Sequence, residues 1–165
     1  MRNDVHVMSR KDASLRWSEF EAVLTIEDHR QSEVMRLPDG CGIPQLVLSF
    51  DDVVSDAHGR KPPESADVAA AINWARGMAG RKLLVHCEMG ISRSAAVALA
   101  IIADRLGSGR EAEAVAELLR IRPQAACNER ILGVADEMSG SGGRLVRAWK
   151  DADEARFAGG LFIPG

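Results

Sequence analysis

The 165-residue sequence contains no tyrosine, and aromatic residues make up only 4% of it. Stacking platforms for single-stranded nucleic acid are therefore poorly supplied. An excess of basic charge is missing too: 21 Lys and Arg face 24 Asp and Glu, for a formal net charge of −3. A protein that coats a polyanion needs the opposite balance, so no nucleic-acid partner is expected and any anion must be recognised by a local site. Cysteine is scarce, with Cys41, Cys87 and Cys127 widely spaced, odd in number and forming no C-x-x-C pair. A disulfide framework is excluded, and no metal site is expected. Long apolar runs are lacking as well. The longest, Ala95 to Ala103, has nine residues, too few to span a bilayer, so no membrane partner is expected. Residues 1–10 have no apolar core of signal-peptide length, which points to a soluble protein in the reducing cytoplasm.

What remains is an ordinary globular composition, 46% hydrophobic and 27% charged, of a length suited to a single domain over residues 1–165. Four segments read as strands: Val5 to Met8, Ala22 to Ile26, Gln45 to Phe50 and Lys82 to Cys87. In the third, Leu46, Leu48 and Phe50 alternate onto one face; the fourth is nearly continuous in apolar residues, as expected of a strand covered on both sides. Helices are expected from a Ser65 cap with an inward stripe of Val68, Ala71, Ile72 and Ala75, and over Arg93–Leu106, Arg110–Ile121 and Glu129–Met138, the last capped by Asn128. Arg93–Leu106 is apolar nearly all round and belongs in the core. Arg144–Phe157 reads as a charged surface helix. Ser139 to Gly143 reads as a flexible joint, and Ala158 to Gly165 as a flexible tail. Strands alternating with helices, followed by helices alone, predict an α/β fold: a mostly parallel central sheet of four or five strands flanked by helices, with a helical C-terminal half. No internal repeat is present.

The segment richest in chemistry is Val85-His86-Cys87-Glu88-Met89-Gly90-Ile91-Ser92-Arg93-Ser94, where a buried strand ends and a core helix begins. Five residues separate Cys87 from Arg93. A loop of that length can curl so that the amides of Glu88, Met89, Gly90, Ile91 and Ser92 converge with the helix N-terminus on one anion. Gly90 permits a backbone conformation that a Cβ would resist. Arg93 can turn its planar fork to two oxygens of a bound phosphate. Cys87 lies at the floor, where the same dipoles favour a thiolate, an in-line nucleophile for phosphorus. Ser94 can donate a hydroxyl hydrogen bond to the sulfur and ease its departure. His86 is expected to order the loop rather than act as a base. Taken alone, Cys87 reads as an inert core thiol. The joint spacing of His, Cys, Gly, Arg and Ser arises by chance with a probability on the order of 10⁻⁴.

The run HCEMGISRS resembles the HCxxGxxR[ST] signature of the cysteine-dependent protein tyrosine phosphatase superfamily, and its Gly-Ile-Ser-Arg-Ser ending is most similar to the dual-specificity branch. QLVLSFDD upstream looks like the strand leading to that family's general-acid loop, and Arg122-Pro123 with Asn128 resembles its downstream Arg-Pro…Asn element. The likeness covers roughly Gln45 to Met138 and extends to a group of bacterial predicted tyrosine phosphatases. It implies a phosphatase-like fold and a metal-free, cofactor-free mechanism through a phospho-cysteine. It also implies a phosphorylated protein or a small phosphomonoester as substrate, and an aspartic acid that protonates the leaving oxygen and then activates water.

Asp51, Asp52 and Asp56 are the candidates for that acid. Strand alternation favours Asp52, which continues the face of Leu46, Leu48 and Phe50 and lies 35 residues before Cys87; Asp51 ranks second and Asp56 third. An acid that must be protonated while a thiol is ionised implies a bell-shaped rate profile with its optimum on the acid side of neutrality.

Other residues carry weaker signals. Cys41 or Cys127 could protect Cys87 through a transient disulfide, although two unremarkable thiols are the simpler reading. Asp28-His29-Arg30 could line the pocket or form a solvated loop. His58-Gly59-Arg60-Lys61 could steer an anionic substrate or be a plain turn. Met89 and Ile91 are expected to contribute amides to the loop rather than recognition. The loop lacks the lysines associated with inositol phosphate substrates in the superfamily, which favours phosphotyrosine, with phosphoserine and phosphothreonine open. A rhodanese-like sulfur transferase and a non-catalytic phosphate-binding module remain as rivals. Low-molecular-weight phosphatases and arsenate reductases place the loop near the chain start and are set aside.

Overall fold

The computed structural model describes residues 4–31, 35–56 and 58–159. Two strands are buried along their whole length, β2 (Ala22–Glu27) and β4 (Leu83–Cys87). Continuous burial of this kind requires cover on both faces and neighbours on both edges. The sheet supplies them. Its order is β1-β4-β2-β3, with β1 at Val5–Ser9 and β3 at Gln45–Ser49, and all three pairings are parallel. Parallel pairing brings every carboxyl end to the same edge, so the ends of β1, β4, β2 and β3 converge. In open parallel sheets ligands bind at that edge.

The larger apolar core lies on one face of the sheet, under α2 (Ser65–Gly77), α3 (Arg93–Leu106), α4 (Glu111–Ile121) and α5 (Glu129–Ser139). Helix α3 leaves β4 directly and is buried from Arg93 to Ile102, as its apolar circumference requires. Leu48 and Phe50 enter this core, with Leu46 packed against it. A smaller cluster, Met8, Ala13, Phe20, Val23, Met35 and Leu84, covers the opposite face.

Several expectations need correction. Helix α1 (Arg10–Arg16), capped by Ser9, and the 3₁₀ turn Trp17–Glu19 give little sequence signal, because within α1 only Ala13 is buried. The cap of α2 is Glu64 rather than Ser65: Glu64 and Asp67 form a reciprocal capping box, which satisfies two orphan amides where one serine satisfies one. Helix α6 (Arg144–Ala158) is not wholly a surface helix, since Leu145 and Trp149 are buried. The Ser139–Gly143 joint is a fixed turn. Gly140, Gly142 and Gly143 take positive φ, and the buried Asp136 carboxylate accepts bonds from the Ser141 hydroxyl and from the first amides of α6, Leu145 at 2.9 Å and Val146 at 3.0 Å. Of the tail expected over Ala158 to Gly165, Ala158 ends α6 and Gly159 caps it, while residues 160–165 lie outside the described residues. No helix among the described residues is long and apolar enough to cross a membrane.

Asp136 thus performs from α5 the capping that Gly143 cannot perform for α6. Asp136→Ala should lower unfolding free energy by about 2 kcal/mol, because it leaves two helix-start amides and a buried hydroxyl without an acceptor. Chemical denaturation monitored by circular dichroism checks this; an unchanged midpoint would show the cap to be dispensable.

Candidate active site

Between β4 and α3 the chain makes five residues of loop, 88–92, at the carboxyl edge of the sheet. Every carbonyl of that loop is engaged from outside. Glu88 O accepts from the Arg10 amide at 3.1 Å, Ile91 O from Ala126 at 2.9 Å, and Ser92 O from Ala96 at 3.0 Å and Asn128 at 3.3 Å. Met89 O and Gly90 O accept from Arg122 Nη2 and Nε at 3.3 and 2.8 Å. A peptide whose carbonyl points outward turns its amide inward. Among the described residues, the amides of Met89, Gly90, Ile91 and Ser92 donate to no protein acceptor. Together with the first turn of α3 they form a concave donor set of the kind that binds tetrahedral anions.

Gly90 is required twice over. Its φ is +67°, and a Cβ there would stand 2.4 Å from the carbonyl carbon and oxygen of Met8 and 2.5 Å from Ser9 N. The loop rests directly on the end of β1. Arg10 adds a bidentate pair with Glu88 at 2.7 and 2.9 Å, so the acidic side chain after Cys87 is neutralised by the neighbouring strand's exit.

Cys87 is 3% exposed, and its sulfur is 3.1 Å from Ser94 Oγ, itself fully buried. His86 Nε2 lies 2.8 Å from Thr25 Oγ1, which also accepts from Gln45 Nε2 at 2.8 Å. Burial pushes the His86 pKa down to about 4. A neutral ring at working pH orients its neighbours rather than carrying a proton, in keeping with the expectation that His86 orders the loop.

Arg93 is buried, and one arm is fixed. Nη1 donates to Asp28 Oδ1 at 2.6 Å and to Phe50 O at 2.8 Å, while buried Nε has no protein partner among the described residues. A guanidinium held by Nη1 leaves the Nε edge for a second, planar acceptor. Asp28 therefore lines the loop, as the reading of the charged Asp28-His29-Arg30 cluster at a strand end allowed.

The three aspartates separate cleanly. Asp52 Oδ1 accepts from Ser92 Oγ at 2.8 Å and from Asn128 Nδ2 at 2.9 Å, which brings this carboxyl to the loop rim with Oδ2 uncommitted. Asp51 turns the other way and is 3% exposed. Burial alone would raise its pKa. Bonds from the amides of Lys61 at 2.7 Å and His29 at 3.1 Å, and from the His29 ring at 3.0 Å, outweigh that and hold it down at about 2. A carboxylate so committed anchors the corner after β3. Asp56 is exposed, and no hydrogen bond among the described residues ties it to the loop.

The weaker candidates also find places. His29 and Lys61 serve Asp51, and Lys61 Nζ donates to Ser49 O at 2.9 Å. Arg60 approaches Asp51 to 3.5 Å. His58 takes a positive φ of 50° in the intervening turn. Cys127 is buried near Arg156 and Asp153, and burial pushes its thiol far up, so it is protonated. The Cys41 thiol lies 3.9 Å from Ile43 O, and its amide donates to Pro38 O at 3.2 Å. Met89 is exposed at the loop tip and Ile91 is half-buried.

No family model matches the chain, and no curated protein matches it. Solved structures do. Human DUSP28 aligns with a TM-score of 0.61 at 22% identity over 85% of this chain and 94% of that one. Tk-PTP in its active form aligns at 0.59 and 21% over 84% and 93%. PTPMT1 in complex with PI(5)P aligns at 0.59 and 22% over 81% and 87%. At these identities the likeness is one of fold: the chain has the fold of the dual-specificity and tyrosine phosphatases.

The Asp51 corner has a pH signature. Its folded pKa, about 2, lies below the ordinary 3.8, so its contribution is complete above pH 4 and is lost as pH falls through 2. The shift corresponds to roughly 2 kcal/mol. Wild type should exceed Asp51→Ala in stability at pH 6, and the gap should shrink by about that amount on acidification to pH 2. A gap independent of pH would contradict the assignment.

Proposed function

We propose that the protein is a phosphomonoester hydrolase of the cysteine-dependent tyrosine phosphatase type, acting on phosphotyrosine in proteins and open to phosphoserine and phosphothreonine. The observation that carries this reading is the outward engagement of all five loop carbonyls above a sulfur bonded to Ser94. The fold likeness to DUSP28 and Tk-PTP supports it.

In this reading the phosphate dianion occupies the amide bowl, with two of its oxygens on the free edge of Arg93. The Cys87 thiolate attacks phosphorus in line. The bond from phosphorus to the ester oxygen breaks, and Asp52 gives that oxygen its proton. Asp52, now a carboxylate, takes a proton from water, whose oxygen attacks the phospho-cysteine. The phosphorus–sulfur bond breaks, inorganic phosphate departs, and the Ser94 hydroxyl stabilises the returning thiolate. Preorganised amides meet the charge of both transition states without reorganising. Ser92 and Asn128 aim Asp52 through Oδ1, which leaves Oδ2 to carry the proton. No metal or cofactor takes part, and the cytoplasm is the compartment in which such a thiol stays reduced.

The test is hydrolysis of phosphotyrosine peptide, phenyl phosphate and 4-nitrophenyl phosphate by wild type, Cys87→Ser and Asp52→Asn. Cys87→Ser should abolish turnover. Asp52→Asn should cost about 10²- to 10³-fold on phenyl phosphate, less on the nitrophenyl ester, and should remove the alkaline limb of the bell-shaped profile. Full activity in Cys87→Ser would end the proposal. Equal losses on both esters, or a flat wild-type profile, would take the acid role away from Asp52.

A further inference from the structure

Helix α6 lies behind the site rather than in it, yet its last turn reaches the segment on which the site is built. Arg156 Nη1 donates to Pro123 O at 2.7 Å, and Nη2 to Ala125 O at 2.9 Å. The guanidinium lies 5.3 Å over the ring of buried Trp149, and Nη2 donates to Asp153 Oδ1 as well as to Ala125 O. These four contacts fix a planar group that would otherwise be free.

The segment so held, residues 122–128, is the outer wall of the phosphate loop. From it Arg122 bonds Gly90 O and Met89 O, the Ala126 amide bonds Ile91 O, and the Asn128 amide bonds Ser92 O. Those contacts face four of the five loop carbonyls. The same segment reaches the acid, because Asn128 Nδ2 donates to Asp52 Oδ1 and to Val53 O. Apart from the turn Ala125 N to Arg122 O, residues 122–126 have no regular hydrogen-bonded structure of their own. Something outside must hold the wall, and Arg156 takes two of its carbonyls.

We infer that Arg156 is a positioning residue: from α6 it fixes the 122–128 wall, and through that wall it sets both the amide bowl around Cys87 and the direction of Asp52. This inference rests on the hydrolase reading above. It adds that the C-terminal helix is part of the machinery of both chemical steps, although none of its side chains touches the substrate. Misplacement of a catalytic group by about 1 Å can cost 10²-fold in rate.

Arg156→Ala, Arg156→Lys and, as a control on the exposed face of the same helix, Glu154→Ala test it. Steady-state hydrolysis of phenyl and 4-nitrophenyl phosphate is measured alongside backbone hydrogen exchange. Arg156→Ala should lower kcat about 10- to 100-fold, with a greater loss on the phenyl ester because the acid is misdirected. Added guanidinium ion at millimolar concentration should restore part of that loss. Lysine, a single point donor, should recover less than half of it. Exchange at residues 88–92 and 122–128 should rise while the strands stay protected. Glu154→Ala should match wild type throughout. A loss equal on both esters, or without response to guanidinium, would mean Arg156 is merely structural, as would a general rise in exchange. Rates in Arg156→Ala equal to those of Glu154→Ala would overturn the inference. Should wild type hydrolyse no phosphomonoester, the functional reading fails, and the exchange pattern still decides whether Arg156 holds the wall.

Discussion

The arrangement depends on one constraint, the outward turn of five consecutive carbonyls at the end of a buried parallel strand. Backbone polar groups must be paired when they leave water. Here the chain pairs the acceptors with neighbouring protein and keeps the donors for something else. The outward bonds come from three parts of the fold: Arg10 after β1, the start of α3, and Arg122, Ala126 and Asn128 between α4 and α5. The sheet order makes this possible, because β4 sits between β1 and β2 and its exit is surrounded.

A second device separates two adjacent aspartates beside the loop. They face opposite ways after β3 has ended at Ser49: Asp51 is buried and Asp52 exposed. Asp51 turns into the protein and becomes a permanently charged anchor, held by His29 and Lys61. Asp52 turns to the rim and is held lightly, by one hydroxyl and one amide. The anchor's depressed pKa, about 2, keeps Asp51 ionised around neutral pH.

Much of this was legible in the sequence. The unbroken apolar run of β4 and the Ala, Leu and Ile content of α3 announced a buried strand feeding a buried helix, and the Cys87–Arg93 spacing placed the loop between them. Parallel pairing followed from the alternation of strands with helices. The preference for Asp52 over Asp51 rested on period-two alternation, which holds for Leu48 and Phe50 but stops before Asp52, exposed in a bend beyond the end of β3. What stayed hidden was of two kinds. Helix α1 buries too little to leave a periodic trace. Asp28 and Arg122 were flagged as residues, but their partners 65 and 32 residues away were not, and Arg156, acting across 31, left no signal; no local pattern reports a partner at that range. The Ser139–Gly143 turn misled because glycine marks left-handed backbone as readily as freedom, and Asp136 decides between the two.

The most direct measurement of the central claim is an NMR titration of the wild-type protein with tungstate, a non-hydrolysable tetrahedral dianion. The amides of Met89, Gly90, Ile91 and Ser92 and the Arg93 Nε–H should shift together, saturate at one equivalent and become protected from exchange with water. Shifts confined to other residues, or none at saturating tungstate, would mean that the loop does not hold a dianion over Cys87.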